Sequence, residues 1–587
     1  MTQPRRWILR SYTEQEQALA TSLSQQLGLY PAVGRLLVAR GITTVTEAEG
    51  FLAPSLEALH DPLLMQDMSV ALDRLQQAID RQERILIYGD YDVDGTTAVA
   101  LLYRYLSAHC LPEDRLTYYI PDRYEEGYGI TRQGIDYAHS IGTGLIISVD
   151  TGIKAHEEIR YARELGMDFI ICDHHTPDPH LPPATATLNP KRLDNTYPFA
   201  DLSGCGVAFK FMQGLALRRS LPFDTLLPLL ELLVLSIAQD RVPILGENRI
   251  LTYHGLRQLN ATPSIGISYL MKQGKIRPGH VDMASIYYEL GPRINAAGRM
   301  AHGAESVKLL IAEDQQVAER QSAILDGYNR QRQDLDQEMT KQALELVSAH
   351  PELLQQRILV LYDPDWNKGV MGIVAARLAD RLHRPVIIFA RSGDYLSGSA
   401  RSYGGYDLYQ AVQNCRDSLQ SFGGHMYAIG MTLLPEHLDS FRSQLEQYAL
   451  TSPSGEVETT PTLQIDTRLE AQEISRSLLR QIESLSPFGM GNERPVFLTE
   501  HLRDAGGTRA VGKCDQHLSL RVTDYYQRIR PIHGFALGKA SYLPKLIRHE
   551  AFALCYELED NDFYTQSFLQ LRVKDLCLES ELPERLR

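Results

Sequence analysis

Asp173-His174-His175 closes the apolar run Phe169-Ile170-Ile171, and upstream Gly89-Asp90-Tyr91-Asp92-Val93-Asp94-Gly95 sets three carboxylates at alternate positions. Val149-Asp150-Thr151-Gly152 and Ala238-Gln239-Asp240 add two more acids, each at the end of an apolar run. A single Asp at such a place commonly caps the next helix, and a lone His is commonly structural. Asp90, Asp92, Asp94, Asp150, Asp173, His174, His175 and Asp240 together are a different matter, since all fall at ends of expected strands or helices. Oxygen and imidazole donors suit manganese or magnesium better than thiolate-preferring metals. Two such ions roughly 3.5 to 4 Å apart activate a bridging water and stabilise both attacking and leaving oxygens of a phosphoryl centre.

Two other chemistries compete for the same residues. Asp90 to Gly95 also opens like an EF-hand loop, but its twelfth position is Leu101 rather than Glu, and strand and helix flank it rather than two helices. Leu145 to Asp150 looks like an apolar strand ending in a magnesium-binding Asp, yet no GxxxxGK[ST] phosphate cradle occurs in the chain.

The elements that must position these residues alternate. Ile85–Tyr88, Leu145–Val149 and Asp168–Cys172 read as strands, with helices over 96–106 and 155–165 between them. Such alternation predicts a parallel, doubly wound sheet with its ligands at the carboxyl ends of the strands. From about 313 to 349 there is no proline, and Val317, Ile324, Tyr328, Leu335, Met339 and Leu346 recur in steps of seven and four. That spacing predicts one amphipathic helix of roughly 50 to 60 Å joining two domains, with a dimerising coiled coil as the alternative. Beyond it, strands over 357–361 and 385–389 around a helix over 369–382 make a second α/β unit. Thr451 to Thr460 has linker composition, and period-two runs at Leu518/Leu520/Val522, Phe552/Leu554/Tyr556/Leu558 and Leu569/Leu571/Val573 predict a small β-barrel.

The predicted organisation is α/β throughout its centre: an N-terminal helical region (1–80) of no legible function, a catalytic parallel-sheet domain (81–312), a connecting helix (313–350), a second α/β domain (351–452) and a carboxyl-terminal barrel (461–587).

Asp173-His174-His175 with GDYDVDG, Val149-Asp150-Thr151-Gly152 and Ala238-Gln239-Asp240 resembles the DHH phosphoesterase superfamily. Arg123-Tyr-Glu-Glu-Gly-Tyr-Gly129, Gly291-Pro-Arg-Ile-Asn-Ala-Ala-Gly-Arg299, Gly398-Ser-Ala-Arg-Ser402 and Gly423-Gly-His425 resemble, more narrowly, the RecJ family of single-strand-specific DNA exonucleases, from about residue 50 to the carboxyl terminus. The resemblance implies that Asp92, Asp94, Asp150, His174 and Asp240 hold two ions, manganese or magnesium, with Asp90 a further ligand. It implies that Asp173 orients His174 and that His175 faces the scissile phosphate. It also implies that Arg123, Tyr128, Arg293 and Arg299 of the first domain, with Ser399, Arg401 and His425 of the second, close on the terminal nucleotide. The second domain would then be DHH-associated and the barrel an OB-fold. One departure stands out: where the family runs to Ala-Ala-Gly after Gly423-Gly-His425, this chain has Ala428-Ile429-Gly430.

Composition bounds the rest. With 587 residues the chain holds several domains. A net charge of −14 argues alone against a polyanion partner. Between 501 and 550, however, nine Lys or Arg face four Asp or Glu and are interleaved with Tyr525, Tyr526, Phe535 and Tyr542. That mixture suits a surface that tracks single strands. Seven cysteines without CxxC spacing fit a reducing compartment, and neither a signal peptide nor a membrane span is legible, so the protein is expected in the cytoplasm. The activity that the resemblance implies is 5′-to-3′ hydrolysis of single-stranded DNA to mononucleotides in repair and recombination, and the expected form is a monomer served by a single-strand-binding protein and a helicase. The alternatives are a phosphodiesterase of the same superfamily acting on cyclic dinucleotides, pyrophosphate or short RNA, and a catalytically silent DNA-binding scaffold.

Overall fold

The computed structural model describes residues 5–451, 461–561 and 568–586. The chain divides into two compact units, Leu56–Thr459 and a second made of Met1–Ser55 with Thr460–Arg587.

The first unit is built on five parallel strands: β1 (Arg84–Gly89), β2 (Leu116–Tyr119), β3 (Thr143–Val149), β4 (Asp168–Cys172) and β5 (Ala186–Leu188), in the order β2-β1-β3-β4-β5. Both faces are covered, which is why these strands read as nearly unbroken apolar runs. Ile85, Ile87, Ile147 and Val149 face a core shared with helices Val93–His109 and Gly204–Arg218, while Leu86, Tyr88, Ile146 and Phe169 face Ile135, Ala138, Ile159 and Ala162. Because all five strands run the same way, the loops after β1, β3 and β4 emerge at one edge and carry Asp90, Asp150 and Asp173 there.

The connecting helix spans Gln315–Ala349, 35 residues, started by the Asp314 carboxylate accepting from the Gln316 and Val317 amides. Its amino-terminal half (Ala318, Leu325) belongs to the core of the parallel-sheet lobe, and its carboxyl-terminal half (Met339, Ala343, Val347) to a core with Leu359, Val374 and Ile388. The face it buries only partly follows the apolar stripe expected from sequence: Met339 is in the core and Tyr328, Leu335 and Leu346 pack against it. Val317 is exposed and Leu335 half-buried, whereas Asp326, Asn329 and Asp336 are buried. The cause is ionic: Asp326 receives Arg293 at 3.0 Å and Asp336 receives Arg377 at 2.7 Å, so carboxylates pin the helix to each lobe. It packs against helices Gly291–Met300 and Met371–Leu382.

The second lobe is a mixed sheet of β6 (Leu359–Tyr362), β7 (Val386–Ser392), β8 (Tyr395–Arg401), β9 (Ser421–His425) and β10 (Ala428–Leu433), ordered β9-β10-β8-β7-β6. Register sets His425 opposite Ala428 and Ala428 opposite Arg401, placing these residues in one row across three strands. Ser399 pairs with Gly430, which pairs with Gly423. Ile429, the departure noted above, points the other way into the core with Ile387 and Phe441, so its bulk stays off the motif face.

In the second unit, seven strands between Thr467 and Leu578 curl until Phe497–Asp504 pairs with both Phe552–Asn561 and His517–Asp524. Leu518, Leu520, Val522, Phe552, Leu554, Tyr556, Leu558 and Leu571 fill the interior. The expected N-terminal region does not stand as one piece. Arg6–Leu9 forms a parallel pair with Thr462–Ile465, and Ala32, Val33, Leu36 and Leu37 complete the barrel's core beside Leu478 and Ile482. Met68, Leu72 and Leu75 instead pack in the parallel-sheet lobe. Apolar helix faces of this length cannot stay solvated, and each joins the nearest sheet that lacks a cover. The expected linker over 451–460 lies outside the described residues except for Thr451, which ends the helix Leu438–Thr451.

Behind the parallel sheet, Lys210 is fully buried and donates to Glu247 at 3.0 Å and to the His60 carbonyl at 2.7 Å. Removing one member of a buried pair strands the other charge, at a cost of about 3 to 5 kcal/mol. Lys210→Met is therefore expected to lower the denaturant midpoint of this unit by that equivalent; a midpoint matching wild type would refute the structural role of the pair.

Candidate functional site

Helix Val93–His109 begins inside the acidic motif. Asp92 caps it by accepting from the Gly95 amide at 3.1 Å, and Gly95 must be glycine because a Cβ would lie 2.6 Å from the Asp90 carbonyl oxygen. That close approach folds the motif back so that Asp90 and Asp92 share one pocket. Asn295 accepts from the Val93 amide at 3.2 Å, and Gly298 sits where a Cβ would meet the Tyr91 carbonyl oxygen at 2.6 Å. The Gly291–Arg299 motif is thus the clamp on the acidic loop.

Asp94 turns inward. Its carboxylate accepts from the Gly204 and Cys205 amides at 2.7 and 2.8 Å and from the Ser236 hydroxyl at 2.7 Å. These amides open helix Gly204–Arg218, whose positive end favours the anion. Gly204 is required by packing, since a Cβ would fall 2.6 Å from that of Asp150. Asp150 itself holds φ +57°, an uncommon left-handed conformation for a residue with a side chain and a mark of local strain.

Three triads of donor atoms converge, each within 4.8 Å: Asp90/Asp92/Asp150, Asp150/His174/His175 and Asp94/His174/Asp240. His174 Nε2 lies 3.3 Å from Asp150, 3.6 Å from Asp240 and 3.7 Å from Asp94. Burial, then the charge of neighbouring carboxylates, drives Asp90, Asp92, Asp150 and Asp240 above the usual carboxylate range. Burial likewise lowers His174, leaving it a neutral imidazole with a free lone pair. Asp90 Oδ1, Asp150 Oδ1, Asp240 Oδ2 and both ring nitrogens of His174 are buried without a hydrogen-bond partner among the described residues. Buried polar atoms are almost always satisfied, so this set fits divalent cations.

Asp173 does not hold the ring expected of it. Its Oδ1 accepts from His175 Nδ1 at 2.8 Å and from the His174 and His175 amides, and its Oδ2 accepts from the Ile153 amide at 3.0 Å. These donors keep Asp173 ionised far below the usual range although burial opposes it. It therefore orients His175, and of His174 it fixes only the backbone. His175 is half-exposed; burial works against its charge, but the Asp173 hydrogen bond and surrounding carboxylates lift it to about 9. Tyr128 stands over it, with its hydroxyl 3.5 Å from Nε2.

Beside the acids lies a cluster of guanidiniums. Arg123 stacks on Tyr91 at 5.0 Å, and Arg299 donates to the Gly369 carbonyl of the second lobe at 3.0 Å while the Tyr124 hydroxyl donates to the Arg299 carbonyl. Arg401 donates to Ser399 Oγ at 3.2 Å and to the Ala400 carbonyl. Arg299 is lowered to about 10 by burial and then by Arg123, Arg401 and Arg332; Arg401 falls by burial and then by Arg123 and Arg241. Burial and the Arg401 charge also lower His425. Cations from both lobes thus crowd one place, an arrangement whose chemistry suits an anion.

Arg293 is the expected member absent from it. Its guanidinium bonds Asp326 at 3.0 Å, Glu289 at 2.8 Å and the Glu289 carbonyl at 2.7 Å, so it locks the connecting helix rather than meeting a ligand. Arg332 was missed by sequence reasoning. It is oriented by buried Asn329, which accepts from both Nε and Nη2. A polar pair on the buried side of a helix was the available signal, masked by the apolar stripe beside it.

The comparisons agree with this architecture. Residues 84–237 match the model of the DHH family, N-terminal domain, residues 355–451 the DHHA1 domain, and residues 465–575 the RecJ OB domain. A DHH-class lobe with its associated domain is therefore the framework of the first unit. The single-stranded-DNA-specific exonuclease RecJ of Bacillus subtilis is 36% identical over 96% of this chain and 70% of its own length, and that of Escherichia coli is 31% identical over 93% and 96%. The crystal structure of RecJ in complex with Mn2+ from Thermus thermophilus superposes with a TM-score of 0.82 at 26% identity, over 97% of this chain and 79% of that one. A crystal structure of exonuclease RecJ bound to manganese gives 0.59 at 30% identity, over 69% and 99%. The chain belongs to the RecJ family of single-stranded-DNA-specific exonucleases.

If the orphaned donors are cation ligands, Mn2+ in excess should raise the melting temperature by a few degrees, as binding to the folded state alone requires. Asp150→Asn, which keeps a residue tolerant of positive φ, should abolish that rise. An equal rise in the variant would refute the assignment.

Proposed function

We propose that this protein hydrolyses single-stranded DNA from the 5′ end and releases mononucleotides. The observation that carries the reading is the adjoining of two opposite sites in one unit: donor triads short of cations, and guanidiniums from two lobes short of an anion. A phosphodiester at a strand end, with metal, satisfies both.

Asp92, Asp94, Asp150, His174 and Asp240, with Asp90 in addition, would hold two divalent ions, manganese or magnesium. Such a pair supplies water activation and charge neutralisation at phosphorus. The chain's own residues do the rest. His175, fixed through Nδ1 by Asp173, whose carboxylate favours the charged ring, presents Nε2 as a donor toward the phosphate and stabilises charge developing there. Tyr128 confines that ring. Arg123, Arg299 and Arg401, with Ser399 and His425, grip the terminal phosphate in forked hydrogen bonds and hold the end in register. Arg293 acts at one remove, by seating the helix that joins the lobes.

In the barrel unit, Tyr525 and Tyr526 are exposed, Arg503 and Arg528 lie over their rings, and a separate groove is lined by Arg509, Arg521, His533 and Phe535. Cations interleaved with aromatic faces support binding of single strands without sequence preference. Work in the cytoplasm as a monomer, with a helicase and a single-strand-binding protein as partners, belongs to the same reading. It draws support from the need of a strand-end nuclease for unpaired substrate. Among the described residues no helix is long and apolar enough to cross a membrane.

The reading is tested with 5′- and 3′-labelled single-stranded and duplex oligonucleotides in Mn2+ or Mg2+. Early release of a labelled mononucleotide is expected only from the 5′-labelled single strand. Asp150→Asn should lower turnover at least about 100-fold while leaving the dissociation constant for single strands within a few-fold. Near-normal turnover in that variant would sink the metal assignment, and release of label from the 3′ end would sink the polarity.

A further inference from the structure

Helix Leu230–Asp240 delivers Asp240 to the donor cluster, and the next residue, Arg241, takes φ +60° and stands exposed. Its guanidinium lies 5.5 Å from the centroid of Tyr287, Tyr287 packs against Tyr288 at 5.9 Å, and Tyr288 is 75% exposed. Both tyrosines ride on a π-helical turn, Ile286–Leu290. Such turns are rare and concentrate at functional sites.

This turn is held deliberately. Gln239 Nε2 donates to the carbonyls of Ile286 and Tyr287 at 3.1 and 3.4 Å, the first of which also accepts from the Gly291 amide across the turn. Its side chain fits only because residue 291 is glycine; a Cβ there would lie 2.0 Å from Gln239 Cδ. One residue, Gln239, thus ties the aromatic pair to Asp240 and Arg241 beside it. The patch stands at the Asp240 end of the overlapping triads, whereas Asp90 and Asp92 form the other end, beside Arg123. Arg241 lies near enough to Arg401 to feel its charge, so the patch borders the guanidinium cluster, while Tyr287 and Tyr288 are used by nothing assigned so far to metal or terminal phosphate.

An open aromatic face next to a cation fits a nucleotide: the ring takes a base, the guanidinium a phosphate. We propose that Arg241, Tyr287 and Tyr288 form the subsite for the nucleotide that follows the scissile phosphate, with Tyr288 stacking on its base and Arg241 pairing with its 3′ phosphate. The inference rests on the strand-end exonuclease reading. Stacking is indifferent to base identity, as required of an enzyme that accepts each nucleotide in turn. It also demands a base face uncovered by duplex neighbours, so the subsite favours unpaired strands.

The test uses the full-length protein with Mn2+ and a 5′-labelled oligothymidylate, intact or abasic at its second nucleotide. On the wild type the abasic lesion is expected to raise KM roughly tenfold. Tyr288→Ala should raise KM on the intact strand by the same roughly tenfold factor and show no further rise with the lesion, because both changes delete one contact. Tyr288→Phe should restore wild-type behaviour. Likewise, a neutral methylphosphonate in place of the second nucleotide's 3′ phosphate should weaken wild type but not Arg241→Ala. Tyr288→Ala indistinguishable from wild type on the intact strand, or losses that add fully, would overturn the subsite while the exonuclease reading stands. Absence of 5′ mononucleotide release by wild type would overturn both.

Discussion

The mutual repulsion of carboxylates held out of water is the constraint on which the rest of this molecule depends. Asp90, Asp92, Asp94, Asp150 and Asp240 meet in one place, and for Asp90, Asp92, Asp150 and Asp240 burial disfavours the charge before the neighbours add to it. Only a rigid frame tolerates such crowding. The parallel sheet supplies it by ending three strands at one edge, and the amides of Gly204 and Cys205 hold Asp94 so that its partners must arrange around it. The glycines at 95 and 204 exist because these acids approach backbone more closely than a Cβ allows.

An equal and opposite constraint governs the guanidiniums. Arg123, Arg299 and Arg401 come from separate segments, two in the first lobe and one in the second, and burial followed by the charge of neighbouring guanidiniums depresses Arg299 and Arg401. Holding them together needs the lobes held together. The connecting helix does this with ion pairs on the buried carboxylates Asp326 and Asp336, which add direction to its apolar burial: a guanidinium fork meets a carboxylate in few geometries, while an apolar stripe slides. Acidic and basic clusters therefore share one frame, and the net charge of the chain says nothing about either.

How much of this was legible in advance depends on whether a feature is local. The parallel sheet, the long helix and the barrel strands follow from periodicity, because strand and helix have repeats of 2.0 and 3.6 that side-chain polarity must obey. The acidic motif and Asp173-His174-His175 were legible because metal chemistry needs those donor types. The helix's buried face was not: its polar members are satisfied by Arg293 and Arg377, 33 and 41 residues away, and no local pattern announces a distant partner. For the same reason the partners of Arg293 were not legible, and Arg332 drew no reading at all. The first 55 residues read as helical but without a legible function, because their partner sheet begins after residue 460.

The amino-acid sequence by itself determined the family, the α/β framework, the donor residues and the class of chemistry, since all of these rest on residue type and short-range spacing. Tertiary structure decided which ring Asp173 holds, which arginines reach the anion site and which is locked in a helix, and that Arg241 and two tyrosines stand together beside Asp240. Those outcomes turn on angles and on hydrogen bonds between segments far apart in the chain, a difference of a few ångströms that spacing along a sequence does not encode.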